Sequence, residues 1–326
     1  MLIRKICVIC VLCNTSLYTK TKHLNPTMLE NLSTSAKIVF VLLLSLLSFL
    51  VCFLLGLLLV KVLYGTSGLA LPAFDASSTS TISAFKVMQV MQTIGLFIIP
   101  AIVAAMAFSK TPWSYLKFSS TSSKVLGLAA IATVVMLPAI NLMASANELL
   151  PLPQWLNSME ENAKRLTEAF LRVDSISALL FNLFMIAVLP AIGEELLFRG
   201  LIQKLFTKVS GSNFWGVFIA ALVFSAIHFQ FKGFLPRLAL GMVFGYMLVW
   251  SRSIWVPIVA HFTNNAFAVL AYHFVHQGNL PAETETVGSL QQLWPIGIVS
   301  LALTALLLFE IKKRSDARSL GLGEEE

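Results

Sequence analysis

Eight stretches of the chain are nearly free of charge and read as apolar helices: residues 38–60, 87–108, 125–143, 176–192, 214–229, 236–250, 254–274 and 294–309. A helix needs about 20 apolar residues to cross a bilayer. The first stretch has no charge and ends at Lys61, whereas the later ones are shorter and interrupted by polar residues. Helices of the second kind are shielded by neighbouring helices rather than by lipid. The pattern therefore predicts an all-α membrane protein, a bundle of about eight transmembrane helices with an intramembrane polar cavity. Residues 154–173 follow a different rule. Trp155, Met159, Ala163, Leu166, Phe170 and Val173 recur at steps of three and four, with Glu160, Glu161, Lys164, Arg165 and Glu168 between them. That is an amphipathic helix, expected to lie in the membrane interface as a connector on the bundle rim. Substrate gating is the alternative role for it.

Composition agrees. Of 326 residues, 57% are hydrophobic and 12% charged, and the mean hydropathy is +0.82. Soluble domains carry about 25% charged residues. A water-soluble globular protein, a disordered chain and a nucleic-acid binder are all excluded, despite the net charge of +7. The basic excess reads instead as a topology signal, because Lys and Arg accumulate on the cytoplasmic side. With the N-terminus inside and the stretches alternating, sixteen of the 23 basic residues fall inside and seven outside. Arg199, Lys204 and Lys208 are counted inside, Lys86 and Arg237 outside. Both termini are then cytoplasmic, and the expected location is a bacterial cytoplasmic membrane.

Residues 1–27 differ from the rest. Arg4 and Lys5 precede a short apolar run holding Cys7, Cys10 and Cys13, which imitates a signal peptide but is too short and lacks a cleavage site. This leader or tail is expected to be dispensable, with Met28 as an ordinary start. Neither a disulfide framework nor a Cys-based metal site is indicated. The expected organisation is residues 1–27 as leader, 28–175 as N-terminal membrane helices with the interfacial helix, 176–274 as a catalytic core, and 275–326 as the last membrane helix with a cytoplasmic tail.

Chemistry is concentrated in the core. Glu194, Glu195 and Arg199 follow the fourth stretch, His228 sits in the fifth, and His261 and Asn265 sit in the seventh. A charge at the bilayer centre costs roughly 2.5–3.5 kcal/mol even on a lenient scale, so these groups must pair or line a wet cavity. Glu195 and Arg199 are one helical turn apart and suited to an ion pair. Glu194 points elsewhere and is left for another partner. Phe224 stands one turn before His228, and Asn265 one turn after His261. A carboxylate, two imidazoles and an amide from three helices are able to activate a water and to stabilise an oxyanion. The same Glu194, His228 and His261 suit Zn²⁺ as two His and one carboxylate with an open position. No His-Glu-x-x-His helix is present, so the usual zinc-protease arrangement is absent. Gly241 and Gly245 read as a close-packing face.

Three ordered motifs carry a family resemblance. Glu194-Glu195-Leu-Leu-Phe-Arg199 with Gly200, Phe224 to His228, and His261 to Asn265 resemble the motifs of the CPBP or Abi family, the intramembrane endopeptidases similar to the type II CAAX prenyl protease. The likeness covers about 176–271. It implies a bundle of about eight helices and proteolysis within the membrane. By position it implies that Glu194 and His228 activate the water, that His261 and Asn265 form the oxyanion site, and that Glu195 and Arg199 hold the motif helix, with Phe224 in support. A glutamate mechanism without cofactor is favoured over a zinc-dependent one, because an Asn is a better oxyanion donor than zinc ligand. The implied partners are a membrane peptide or protein substrate and the bilayer, with no nucleic acid. Two other readings compete: a non-catalytic scaffold or bacteriocin-immunity-type protein, and a proton-linked transporter. The transporter reading lacks the internal repeat such folds show.

Overall fold

The computed structural model describes residues 29–319 except residue 67, so the leader expected at 1–27 lies outside the described residues. Nine principal helices follow one another: α1 (Thr34–Tyr64), α2 (Thr79–Phe108), α3 (Ser123–Glu148), α4 (Gln154–Leu171), α5 (Ile176–Ser210), α6 (Asn213–Ala226), α7 (Phe234–Ser251), α8 (Trp255–His276) and α9 (Trp294–Ser319). Serines start several of them. The side chains of Ser33, Ser78, Ser122 and Ser175 accept from backbone N–H groups in the first turns of α1, α2, α3 and α5, donors that the helix itself leaves unpaired. Gly65 and Gly211 stop α1 and α5 with φ near 66° and 67°, a left-handed conformation open to glycine without steric cost.

The protein is an all-helical membrane protein. Among the described residues, six helices are long and apolar enough to cross a bilayer: α1, α2, α3, α5, α7 with its preceding turn, and α9. The fifth and seventh expected stretches form helices too, but α6 has only 14 residues. Helix α8 is long enough at 22 residues, yet His261, Thr263, Asn264 and Asn265 interrupt its apolar run. The residues that make a helix chemically interesting are the ones that blur its membrane signature. Helix α4 is the expected amphipathic segment, ending at Leu171.

The connections sort to two ends. At one end the carboxamide of Asn141 in α3 donates to the carbonyls of Glu285 and Val287, that of Asn147 donates to Phe231 O, and Lys232 N donates to Glu160 of α4. At the other, Leu29 N donates to Ala107 O, Ile254 N to Lys117 O and Ser119 Oγ to Arg252 O. The segments expected outside thus gather at one end and those expected inside at the other. Many of the counted charges lie in helices rather than loops, and some of these are withdrawn from solvent. Lys86 is buried in α2 and donates to Asn182 Oδ1 at 2.8 Å, Arg199 is buried in the middle of α5, and Lys204 is half-buried in the same helix. Helix α5 does not end near Ile192, as expected, but continues to Ser210.

Two local devices shape the core. Pro138 inside α3 disrupts the helical ladder, and Ser300 of α9 steps into the gap, donating to Val135 O and accepting from Ala139 N. Helix α5 contains wide π-type turns at Leu183–Val188 and Glu195–Gln203. Such turns are frequent at functional sites, because they free carbonyls and re-aim side chains.

Candidate active site

The wide turn Glu195–Gln203 is buried at every position. Within it the Arg199 guanidinium donates to Glu195 Oε1 at 2.8 Å through Nη1 and to Gly241 O of α7 at 3.2 Å through Nη2. One turn later Gln203 Nε2 donates to Gly245 O at 3.1 Å. The glycines allow this approach: a Cβ at 241 would stand 2.9 Å from Ala221 Cβ, and one at 245 would stand 2.8 Å from Val217 Cγ1. The close-packing face expected from Gly241 and Gly245 therefore also supplies backbone carbonyls to α5.

Glu195 has a second partner. His261 Nδ1 lies 2.8 Å from the same Oε1. A carboxylate accepts, so Nδ1 carries the hydrogen and Nε2 keeps its lone pair while the imidazole is neutral. That Nε2 faces Glu194 Oε2 at 3.9 Å. The gap is too long for a direct hydrogen bond, and it is a span that one water bridges. Phe244 stacks on His261 with ring centroids 5.5 Å apart, and Phe224 meets it edge-on at 6.1 Å. The same two rings flank Arg199, whose guanidinium carbon lies 4.7 Å and 5.7 Å from their centroids. The cluster is thus walled by aromatic faces that attract the cation and keep bulk water out.

His228 is placed differently from the expectation that it lies within a membrane helix. Helix α6 ends at Ala226, and His228 follows in the turn, half-buried. Its Nδ1 donates to Phe224 O at 2.7 Å, which caps one of the last carbonyls of the helix and again leaves Nε2 as the acceptor. The expected Glu194–His228 pair is not a direct contact, and Glu194 approaches His261 instead. Asn265 Nδ2 donates to Ile186 O at 2.9 Å, a carbonyl in the other wide turn of α5. Asn264 Nδ2 donates to Asn265 Oδ1 at 3.0 Å. An amide carries two N–H bonds, so Asn265 is fixed in orientation and retains a second donor.

Arg237 was assigned to the outside loops by the charge pattern. In the structure it ties down the turn that carries His228, donating to Gln230 Oε1 at 3.1 Å, Gln230 O at 2.8 Å and Gly233 O at 3.2 Å. Its charge acts on both Glu194 and His228. The signal for it was available, as a charged residue opening an apolar stretch at membrane depth is a functional candidate. Gln203 and Phe244 carried no comparable signal, since their roles arise from packing.

Among the described residues no three His, Cys, Asp or Glu side chains converge closely enough to hold a metal ion. A cavity of about 580 Å³ opens beside α8, between α3 and the strap before α9, lined by Leu137, Asn141, Asn264, Phe267, Tyr272 and Glu285 among others. It is largely apolar. Glu194, Glu195, Arg199, His228 and His261 are not among its lining residues, whereas Asn264, which donates to Asn265, is.

Residues 176–267 match the type II CAAX prenyl endopeptidase Rce1-like family. The putative membrane peptidase YdiL of Bacillus subtilis is 31% identical over 104 residues, which is 32% of this chain and 41% of that protein. The membrane-embedded CAAX protease MroQ of Staphylococcus aureus is 29% identical over 93 residues, 27% of this chain and 38% of its own length. The uncharacterized protein YpbD of Bacillus subtilis is 30% identical over 99 residues, 29% of this chain and 48% of its own length. The chain spans less than half the length of these curated relatives. No solved structure matches. The similarity falls on the segment that bears all three motifs, and it supports an intramembrane protease at the level of the family.

Proposed function

We propose that the chain is an intramembrane endopeptidase that hydrolyses a peptide bond of a membrane-associated or lipidated substrate, using a water held between Glu194 and His261. The observation that carries this reading is the 3.9 Å gap between Glu194 Oε2 and His261 Nε2, set in a buried cluster whose second carboxylate already has Arg199. A water there gives one hydrogen to each group and turns a lone pair toward a substrate carbonyl carbon. Glu194 takes the proton as oxygen attacks, and returns it to the leaving amine nitrogen as the C–N bond breaks. The second N–H of Asn265 faces the developing oxyanion. His228, held as the Nδ1–H tautomer, is a further proton acceptor at the edge of the site. This proposal exchanges the two imidazoles relative to the roles the resemblance implies, because Glu195 holds His261 as an acceptor.

Metal dependence is the second reading. Both imidazoles place Nδ1 on an oxygen acceptor and leave Nε2 free, the arrangement of metal-ligating histidines. Exhaustive chelation of the purified chain in vesicles decides between the readings. Unchanged cleavage of a membrane peptide is expected, and loss of cleavage restored by Zn²⁺ alone would overturn the glutamate mechanism.

The orientation proposed is cytoplasmic termini, with α4 on the opposite side of a bacterial cytoplasmic membrane. Ser158 is exposed on α4. A cysteine placed there is expected to react with an impermeant maleimide added outside intact cells. Reaction only after the cytoplasmic face is opened refutes the orientation.

A further inference from the structure

At the end of the bundle opposite α4, four lysines from three elements converge. They are Lys37 near the start of α1, Lys117 in the α2–α3 connection, and Lys204 and Lys208 on the last turns of α5. They stand close enough for their charges to repel: Lys204 feels Lys117, Lys37 and Lys208, and Lys37 feels Lys208. The inner pair is built into the fold. Lys37 Nζ donates to Glu30 O at 2.8 Å and lies 5.2 Å above the Phe108 ring. Lys204 Nζ donates to Tyr115 O at 3.1 Å and lies 3.2 Å from the Tyr115 centroid. Phe108 and Tyr115 touch edge to face at 6.3 Å, so two aromatic rings bridge the two ammonium groups. The outer pair, Lys117 and Lys208, is exposed. Among the described residues, Glu30 is a carboxylate that acts on Lys37.

The level of this cluster in the membrane is marked independently. Trp113 is 55% exposed, Trp215 is 50% exposed and Trp255 is 44% exposed. They lie beside Lys117, at the start of α6 and at the start of α8, all at this end of the molecule. Exposed tryptophans of this kind sit at the headgroup level of a bilayer. Gathered ammonium groups at that depth meet lipid phosphates, and basic pockets between membrane helices bind anionic headgroups.

We infer that Lys37, Lys117, Lys204 and Lys208 form a binding site for the phosphate of an anionic phospholipid, seated between the ends of α1 and α5 and the α2–α3 connection. The inner pair fixes the phosphate and the exposed pair closes over it from the aqueous side. The lipid thereby reinforces the packing of α1 against the last turns of α5, the helix that carries Glu194, Glu195 and Arg199.

The test uses the full chain in nanodiscs of phosphatidylcholine, with and without phosphatidylglycerol. Retained lipid is read by native mass spectrometry, and melting by intrinsic tryptophan fluorescence. Phosphatidylglycerol is expected to be retained selectively and to raise the melting temperature. The double variant Lys117→Gln/Lys208→Gln should bind it roughly thirty-fold more weakly, at about 1 kcal/mol per surface lysine. Lys117→Arg/Lys208→Arg should keep the effect, and Lys61→Gln at the opposite end should leave it unchanged. Equal retention by the Gln double variant overturns the proposal. So does an equal stabilisation by inorganic phosphate in pure phosphatidylcholine, which would make the occupant a soluble anion. None of these lysines contacts the catalytic cluster, so cleavage in phosphatidylcholine is expected to be the same for all variants, and the outcome does not depend on the peptidase reading.

Discussion

A Glu194→Gln protein is expected to insert and fold like the parent and to lose peptide-bond hydrolysis by about two to four orders of magnitude, the usual contribution of a positioned general base. The expectation follows from what Glu194 does not do. It is 7% exposed, and its approach to His261 Nε2 is 3.9 Å rather than a short ion pair. The structural ion pair of the site belongs to its neighbour. An amide keeps the size and one acceptor oxygen, so the packing against α8 survives, but it cannot take a proton from water. The measurement is turnover of a membrane-inserted peptide by purified protein, with the amount of monodisperse protein as the folding control. A folded Gln variant that cleaves within tenfold of the parent would remove Glu194 from the mechanism. A parent that cleaves nothing, with the same buried cluster intact, would favour the non-catalytic scaffold or immunity-type reading.

The apolar stretches located the helices well because lipid imposes a single requirement over a fixed length, and hydropathy reads that requirement directly. It read α1 most cleanly, where Leu42, Leu43, Leu46 and Leu47 all remain exposed in the bundle. It misplaced the end of α5 because Glu194, Glu195 and Arg199 resemble a loop in composition. They are buried together, and pairing removes the penalty that made a loop the better guess. The i and i+4 spacing correctly paired Glu195 with Arg199, since that contact lies within one helix. It could not show that His261 arrives on the same carboxylate oxygen, as this depends on how α8 crosses α5. The place of His228 was illegible for a related reason. Helix α6 ends in a turn with Phe229 at φ 51°, and no glycine or proline marks that stop. Arg237 was read as a topology charge because counting loop residues assigns every cation a side of the membrane, whereas this one is spent on Gln230 and Gly233.

The substitution with the largest expected effect on folding is Glu195→Gln. Its carboxylate is wholly buried, and Oε1 accepts from both Arg199 Nη1 and His261 Nδ1 at 2.8 Å. An amide oxygen can accept, but it brings no negative charge to Arg199, and the NH₂ would take the place of Oε2, a buried atom with no hydrogen-bond partner. Arg199, at 1% exposure, would lose its counter-charge and keep neutral acceptors such as Gly241 O and the faces of Phe224 and Phe244. Breaking a buried ion pair from one side costs about 3–5 kcal/mol, against about 5–15 kcal/mol for the stability of a whole domain. Folded yield and melting temperature should both fall sharply. Adding Arg199→Met removes the stranded cation and is expected to recover much of the folded protein, because an apolar side chain between Phe224 and Phe244 has no charge to satisfy. It should not recover cleavage. With the carboxylate gone, only a neutral amide oxygen is left to accept the Nδ1 hydrogen of His261, and the imidazole loses the negative charge that fixes its tautomer and aims the Nε2 lone pair toward Glu194. Recovery of both yield and cleavage by the double variant would show that Glu195 acts only through Arg199, and that His261 needs no carboxylate behind it.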